Sequence, residues 1–122
     1  MKALSYICDM NLKTIEKPED FSTKDVNLAK YAKAFSHPAR IAILNLLIQK
    51  QACICGDIVE ELPLAQSTVS QHLKVLKEAG LIKGEIEGST VCYCIDGEEW
   101  AIAKNLLHEF FLSYQPLSGN CC

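Results

Sequence analysis

The chain has 122 residues, about half of them apolar, and a formal net charge of −3; that is enough to bury one core and too little for two ordinary domains. The acidic balance argues against indiscriminate polyanion binding but leaves room for a local basic face. The longest apolar run, Ile41 to Ile48, is broken by Asn45 and is far shorter than the roughly 20 residues that span a bilayer, so no membrane association is expected.

Residues 1–21 show no sustained period, include Glu16-Lys17-Pro18-Glu19-Asp20 and contain Cys8; they read as an N-terminal arm. Nothing in Met1 to Met10 resembles an export signal, since Asp9 interrupts the short apolar stretch, and the protein is expected to be cytoplasmic. One domain is expected over 22–115. It opens on a helix in which Ser22 and Asp25 have capping-box spacing and Leu28, Tyr31, Ala32 and Phe35 form an apolar stripe. Ser36-His37-Pro38 resets the chain, because proline suits a first helical turn and disfavours helix in the residue before it. A second helix, Pro38 to Gln49, is apolar nearly all round and should be central.

Next comes Ala52-Cys53-Ile54-Cys55-Gly56-Asp57-Ile58, then a short helix over Gly56 to Leu62, closed by Pro63. After a tight turn, Gln66 to Ala79 carries Val69, Leu73 and Leu76 as a core stripe, with Gly80 as its stop. Two helices across a tight turn predict a helix-turn-helix. Beyond Gly80 the period becomes alternating: Leu81, Ile82 and Ile86 supply one strand, Glu87-Gly88-Ser89 a turn, and Val91 to Ile95 a second strand. In that second strand Val91, Tyr93 and Ile95 share one face, and Cys92 and Cys94 the other. A last helix from about Glu98 carries Trp100, Ala103, Leu107, Phe110, Phe111 and Tyr114 and is closed by Pro116. Residues 116–122 form a polar tail ending in Cys121-Cys122. The fold expected is mainly α with a β-hairpin wing, a winged helix-turn-helix.

Off the core stripe, the helix from Gln66 presents Gln66, Ser67, Thr68, Ser70, Gln71, His72, Lys74 and Lys77. Amides and hydroxyls near a helix start can read base edges, while lysines and Arg40 can meet phosphates. Double-stranded DNA is the expected partner, as opposed to a merely solvated face, because of the motif order around it.

The seven cysteines would suggest a disulfide scaffold in a secreted protein, but an odd count in a reducing compartment points to thiols or ligands. Cys53 and Cys55 can converge on one ion if their segment is extended, since residues i and i+2 then face the same side. Thiolates favour thiophilic ions, and a trivalent arsenical or antimonial suits a thiolate pair better than zinc does. Cys121 and Cys122 are secondary candidates as further ligands, with Cys8 behind them. Cys92 and Cys94 read first as strand packing, with ion binding or oxidation open to them.

Ser67 to Ile82, with Ser36-His37-Pro38-Ala39-Arg40-Ile41, resembles the recognition helix, wing entry and second-helix entry of the ArsR/SmtB family of small bacterial metalloregulators. The resemblance implies a homodimeric repressor joined through its first and last helices and released from its operator by an inducer, here As(III) or Sb(III) with no organic cofactor. Arsenic-responsive members carry Glu-Leu-Cys-Val-Cys-Asp-Leu. Aligned on Asp57, this chain has its cysteines displaced by one residue, with Ile54 and Gly56 in the usual places. Gly56-Asp57-Ile58 resembles the zinc-sensing branch, but Glu98-Glu99-Trp100 and Leu107-His108-Glu109 do not reproduce that branch's last-helix ligands. A thiol-redox or reactive-sulfur sensor, or a Zn/Cd-type sensor, is the alternative within the fold. An enzyme is not expected, for there is no Cys-x-x-Cys and no convergent acid-base set.

Overall fold

The computed structural model describes residues 20–116 apart from Asp57 and Ser89; almost all of the expected arm and tail, with Cys8, Cys121 and Cys122, lies outside them. Helix α1 is Thr23–Ala34, capped by Ser22, whose side chain accepts from the Asp25 N–H at 3.1 Å. It buries Tyr31 and Ala34 and leaves Ala32 exposed, so its inward stripe is rotated from the expected one toward the last helix, on which it packs. Helix α2, Pro38–Lys50, begins at His37, whose Nδ1 accepts from the Ala39 N–H at 3.0 Å. It buries Ala39, Ile43, Leu44, Leu46 and Leu47 and packs on α4 and β3, defined below. That is the central place its composition predicts.

Strand β1 is only Ile54–Cys55. Gly56, at φ +79°, a conformation glycine adopts without steric cost, turns the chain into helix α3, Ile58–Glu61, shorter than expected. Helix α4, Gln66–Glu78, follows, then the hairpin of β2, Ile82–Glu87, and β3, Thr90–Ile95. Helix α5, Gly97–Leu112, is capped by Asp96, which accepts from the Glu98 and Glu99 N–H groups at 3.1 and 3.2 Å. It ends at Leu112, short of Pro116. The sheet is antiparallel in the order β1-β3-β2. The expected wing therefore gains a third strand, which pairs Ile54 with Tyr93 and Cys55 with Cys92. One core, including Tyr31, Ile43, Leu47, Leu76, Leu81 and Ile82, joins helices and wing. No helix among the described residues is long and apolar enough to cross a membrane.

The end of α4 is a Schellman motif: Leu81 N–H bonds to the Leu76 carbonyl at 3.1 Å and Gly80 N–H to that of Lys77 at 3.0 Å. Gly80 sits at φ +86°, and a Cβ there would stand 2.8 Å from Cγ of Glu99. Gly80→Ala therefore combines a left-handed backbone with a collision. It is expected to destabilise the fold by about 1–3 kcal/mol, read as a lowered urea midpoint at unchanged m-value.

Glu99 also ties α5 to α1. The buried Tyr31 hydroxyl donates to its carboxylate, and the Lys30 ammonium lies 3.6 Å away. Burial, then the hydrogen bond to Glu99, then its charge push the Tyr31 phenol up from 10.0 to about 12. A raised pKa means that the native state holds this proton more tightly than the unfolded chain. The stability it contributes is complete below about pH 10 and is lost as pH rises toward 12. Tyr31→Phe should flatten that alkaline decline in urea midpoints.

Candidate functional site

Helix α4 has two faces. Val69, Leu73 and Leu76 are buried, whereas Gln66, Ser67, Thr68, Ser70, Gln71, Lys74 and Lys77 are exposed. Its N-cap position is Ala65, and no side chain bonds to the first-turn amides. Those amides are thus oriented outward with the partial positive charge of a helix start, an arrangement suited to phosphate. Helix α3 packs on α4, and β2 packs on it from the other side, so the exposed face is held between the turn and the wing.

Arg40 and His72 sit behind that face. The Arg40 guanidinium donates to the Ala34 carbonyl through Nε at 2.8 Å, to the Lys33 carbonyl and Ser36 Oγ through Nη2 at 3.1 and 3.3 Å, and approaches His72 Nδ1 through Nη1 at 3.1 Å. Arg40, expected to meet DNA phosphate, links the last carbonyls of α1 to the middle of α4. His72 is half-buried, with its ring centroid 4.4 Å from that of His37. Burial, then the charges of His37 and Arg40, lower its pKa. A neutral imidazole accepting at Nδ1 fits the arginine contact and leaves Nε2 to carry the proton.

The cysteines form the second constellation. Cys53 and Cys55 are exposed, as an extended segment requires, but their sulfurs are not paired with each other. Cys53 is bonded to Cys94 and Cys55 to Cys92, with Cα separations of 4.3 and 4.0 Å. These are residues directly opposite in the β1–β3 ladder, near the spacing of non-hydrogen-bonded pairs. Cys92 and Cys94 are buried, whereas Val91, on the strand's other face, is exposed. Beside the Cys53–Cys94 pair opens a cleft of about 450 Å³, lined also by Leu47, Ile48, Gln51 and Lys83. Among the described residues no group of His, Cys, Asp or Glu is placed to hold a metal as it stands; these four sulfurs are already bonded to one another. His108 is exposed on α5 and belongs to no such group.

The sequence matches the family described as bacterial regulatory protein, arsR family, over residues 37–83. It is 34% identical over 106 residues to the arsenical resistance operon repressor of Bacillus subtilis, covering 82% of this chain and 97% of that one. The chain belongs to the ArsR family. Another relative is the transcriptional activator HlyU of Vibrio cholerae, 34% identical over 102 residues, 84% of this chain and 88% of that one. A solved HlyU structure aligns at a TM-score of 0.59 with 29% identity, covering 75% and 99% of the two chains. A cadmium resistance regulatory protein, the CadC homolog of Staphylococcus aureus, is 33% identical over 95 residues, 77% of this chain and 75% of that one. The chain is thus a winged helix-turn-helix transcriptional regulator, a DNA-binding protein and not an enzyme. The two Cys-x-Cys segments, Cys53-Ile54-Cys55 and Cys92-Tyr93-Cys94, share a period of two, and that shared period is the sequence signal for their meeting.

Proposed function

We propose that this protein is a homodimeric repressor that reads operator DNA with the exposed face of α4 and leaves it when As(III) or Sb(III) binds Cys53 and Cys55. Gln66, Ser67, Thr68, Ser70 and Gln71 approach base edges and backbone in the major groove, and Lys74 takes phosphate. The single observation that carries the reading is that Cys53 directly precedes β1 and Cys55 ends it, immediately ahead of α3, so a ligand held there acts on the first helix of the DNA-reading pair. The names of the relatives, spanning arsenical and cadmium resistance, support a thiophilic inducer. The exposed apolar residues Ile102, Phe110, Phe111 and Leu112 on α5 support pairing with a second copy, as does the resemblance. The inducer must bind the low-affinity conformation better, since only differential affinity shifts an equilibrium.

Fluorescence anisotropy with labelled operator, using reduced protein with and without arsenite, tests this. Operator affinity should fall on adding arsenite to the wild type and stay constant in the Cys53→Ser, Cys55→Ser double variant. An unchanged wild-type affinity sinks the arsenic assignment. The sulfur–sulfur bonds favour a second reading, a thiol-redox regulator. There, mild peroxide would change operator affinity without any ion, and mass spectrometry would recover the Cys53–Cys94 and Cys55–Cys92 linkages.

A further inference from the structure

Resting on the thiol-sensing reading, we infer that the wing strand supplies half of the ion site: Cys92 and Cys94 complete with Cys53 and Cys55 a cross-strand cluster, of which the two disulfides are the oxidised, ion-blind form.

The ladder places these residues together. Cys53 and Cys55 project from one side of their extended segment and Cys92 and Cys94 from one side of β3, because side chains two apart share a face. The strands meet with Cys55 opposite Cys92, and Cys53 opposite Cys94. The four Cα atoms therefore outline a rectangle with short sides of 4.3 and 4.0 Å and long sides of about 6.8 Å, two strand residues. An ion over that rectangle reaches sulfurs from both strands without any backbone rearrangement. It lies nearer to the opposite strand's cysteine than Cys53 lies to Cys55. The cleft beside Cys53 and Cys94 gives it an entrance. Lys83, directly opposite Cys94 on β2 and lining the same cleft, brings an ammonium to balance the thiolate charge.

Both reactions consume the same sulfurs. When arsenous acid binds, each thiol proton leaves with one arsenic hydroxyl as water, and an As–S bond replaces an As–O bond with no change of oxidation state. When hydrogen peroxide oxidises a pair, the two thiols lose their protons and two electrons, a sulfur–sulfur bond forms, and the peroxide is reduced to water. A sulfur committed to one product is not available for the other. The ion would bridge β1, which leads into α3, to β3, the wing strand, and so would couple the entrance of the helix pair to the wing.

Differential alkylation of the reduced wild-type protein, read by mass spectrometry with and without arsenite, tests the ligand set with no substitution at all. Protection of Cys92 or Cys94 together with Cys53 and Cys55 is the expected result. Protection of Cys53 and Cys55 alone overturns the wing contribution while leaving the proposed function standing; protection of none overturns both. In parallel, the Cys92→Ser, Cys94→Ser double variant should weaken arsenite binding at least about tenfold, no less than the loss of an outer-shell partner costs. Peroxide-treated wild type should take up no arsenite until reduced; uptake by the fully oxidised protein overturns the exclusivity.

Discussion

Replacing Gln71 and Lys74 by alanine together should weaken operator binding by at least about 100-fold, without changing the melting temperature or the dimer. Both side chains are exposed on α4 and carry no core contact. A bidentate base contact is worth about 1–3 kcal/mol, and a homodimer loses it in each half-site. The lysine's share is separable. Removing a phosphate contact should lower the slope of log affinity against log salt by about 1 per protomer, evenly across operator variants, whereas removing the amide should relax discrimination at one base pair. Anisotropy titrations at several salt concentrations read both quantities. Retained operator affinity in the double variant would remove α4 as the reading element.

Leu76→Ala, on the opposite face of the same helix, should do the reverse. Leu76 is 0% exposed, among Ile43, Val69, Leu73 and Leu81 in the core. Truncating a fully buried leucine costs about 2–5 kcal/mol in lost burial and residual cavity, against a total stability of about 5–15 kcal/mol for a domain of this kind. Urea denaturation should show the midpoint falling by that free energy divided by the m-value. Below it, the surviving native fraction should still recognise operator, because the reading face is intact. A change under about 1 kcal/mol would mean that the site collapses freely around the alanine.

The fold was legible where local chemistry fixes the backbone. Ser22 and His37 both cap helices from the positions their side chains suggest, Gly80 ends α4 in a left-handed turn, and the change to an alternating period after Gly80 marks the hairpin. The recognition helix was legible for the same reason, with one buried stripe and one polar face. What escaped is long-range. Strand β1 has two residues, too few to show a period, and Cys55 lies 37 residues along the chain from its partner Cys92. The hydrogen bonds of Arg40 to the end of α1 escaped because a guanidinium can serve phosphate or carbonyls until the fold places a carbonyl beside it. The end of α5 at Leu112 rather than near Pro116 follows from local bonding, with the Ser113 hydroxyl turned back onto the Phe110 carbonyl at 2.6 Å.

The two cross-strand bonds also have a topological meaning. Cys53–Cys94 closes the chain from the entrance of α3 through α4 and the wing into a covalent ring, while α1, α2 and α5 remain outside it as open arms. In the chain-entropy view, closing a loop of that length removes about 4 kcal/mol of unfolded-state freedom, all of it from the part that touches DNA. The oxidised protein would then be made of two pieces of unlike durability. A protease cut in the turn between α3 and α4 would leave the ring a single connected molecule, and it would release a fragment only after reductant is added.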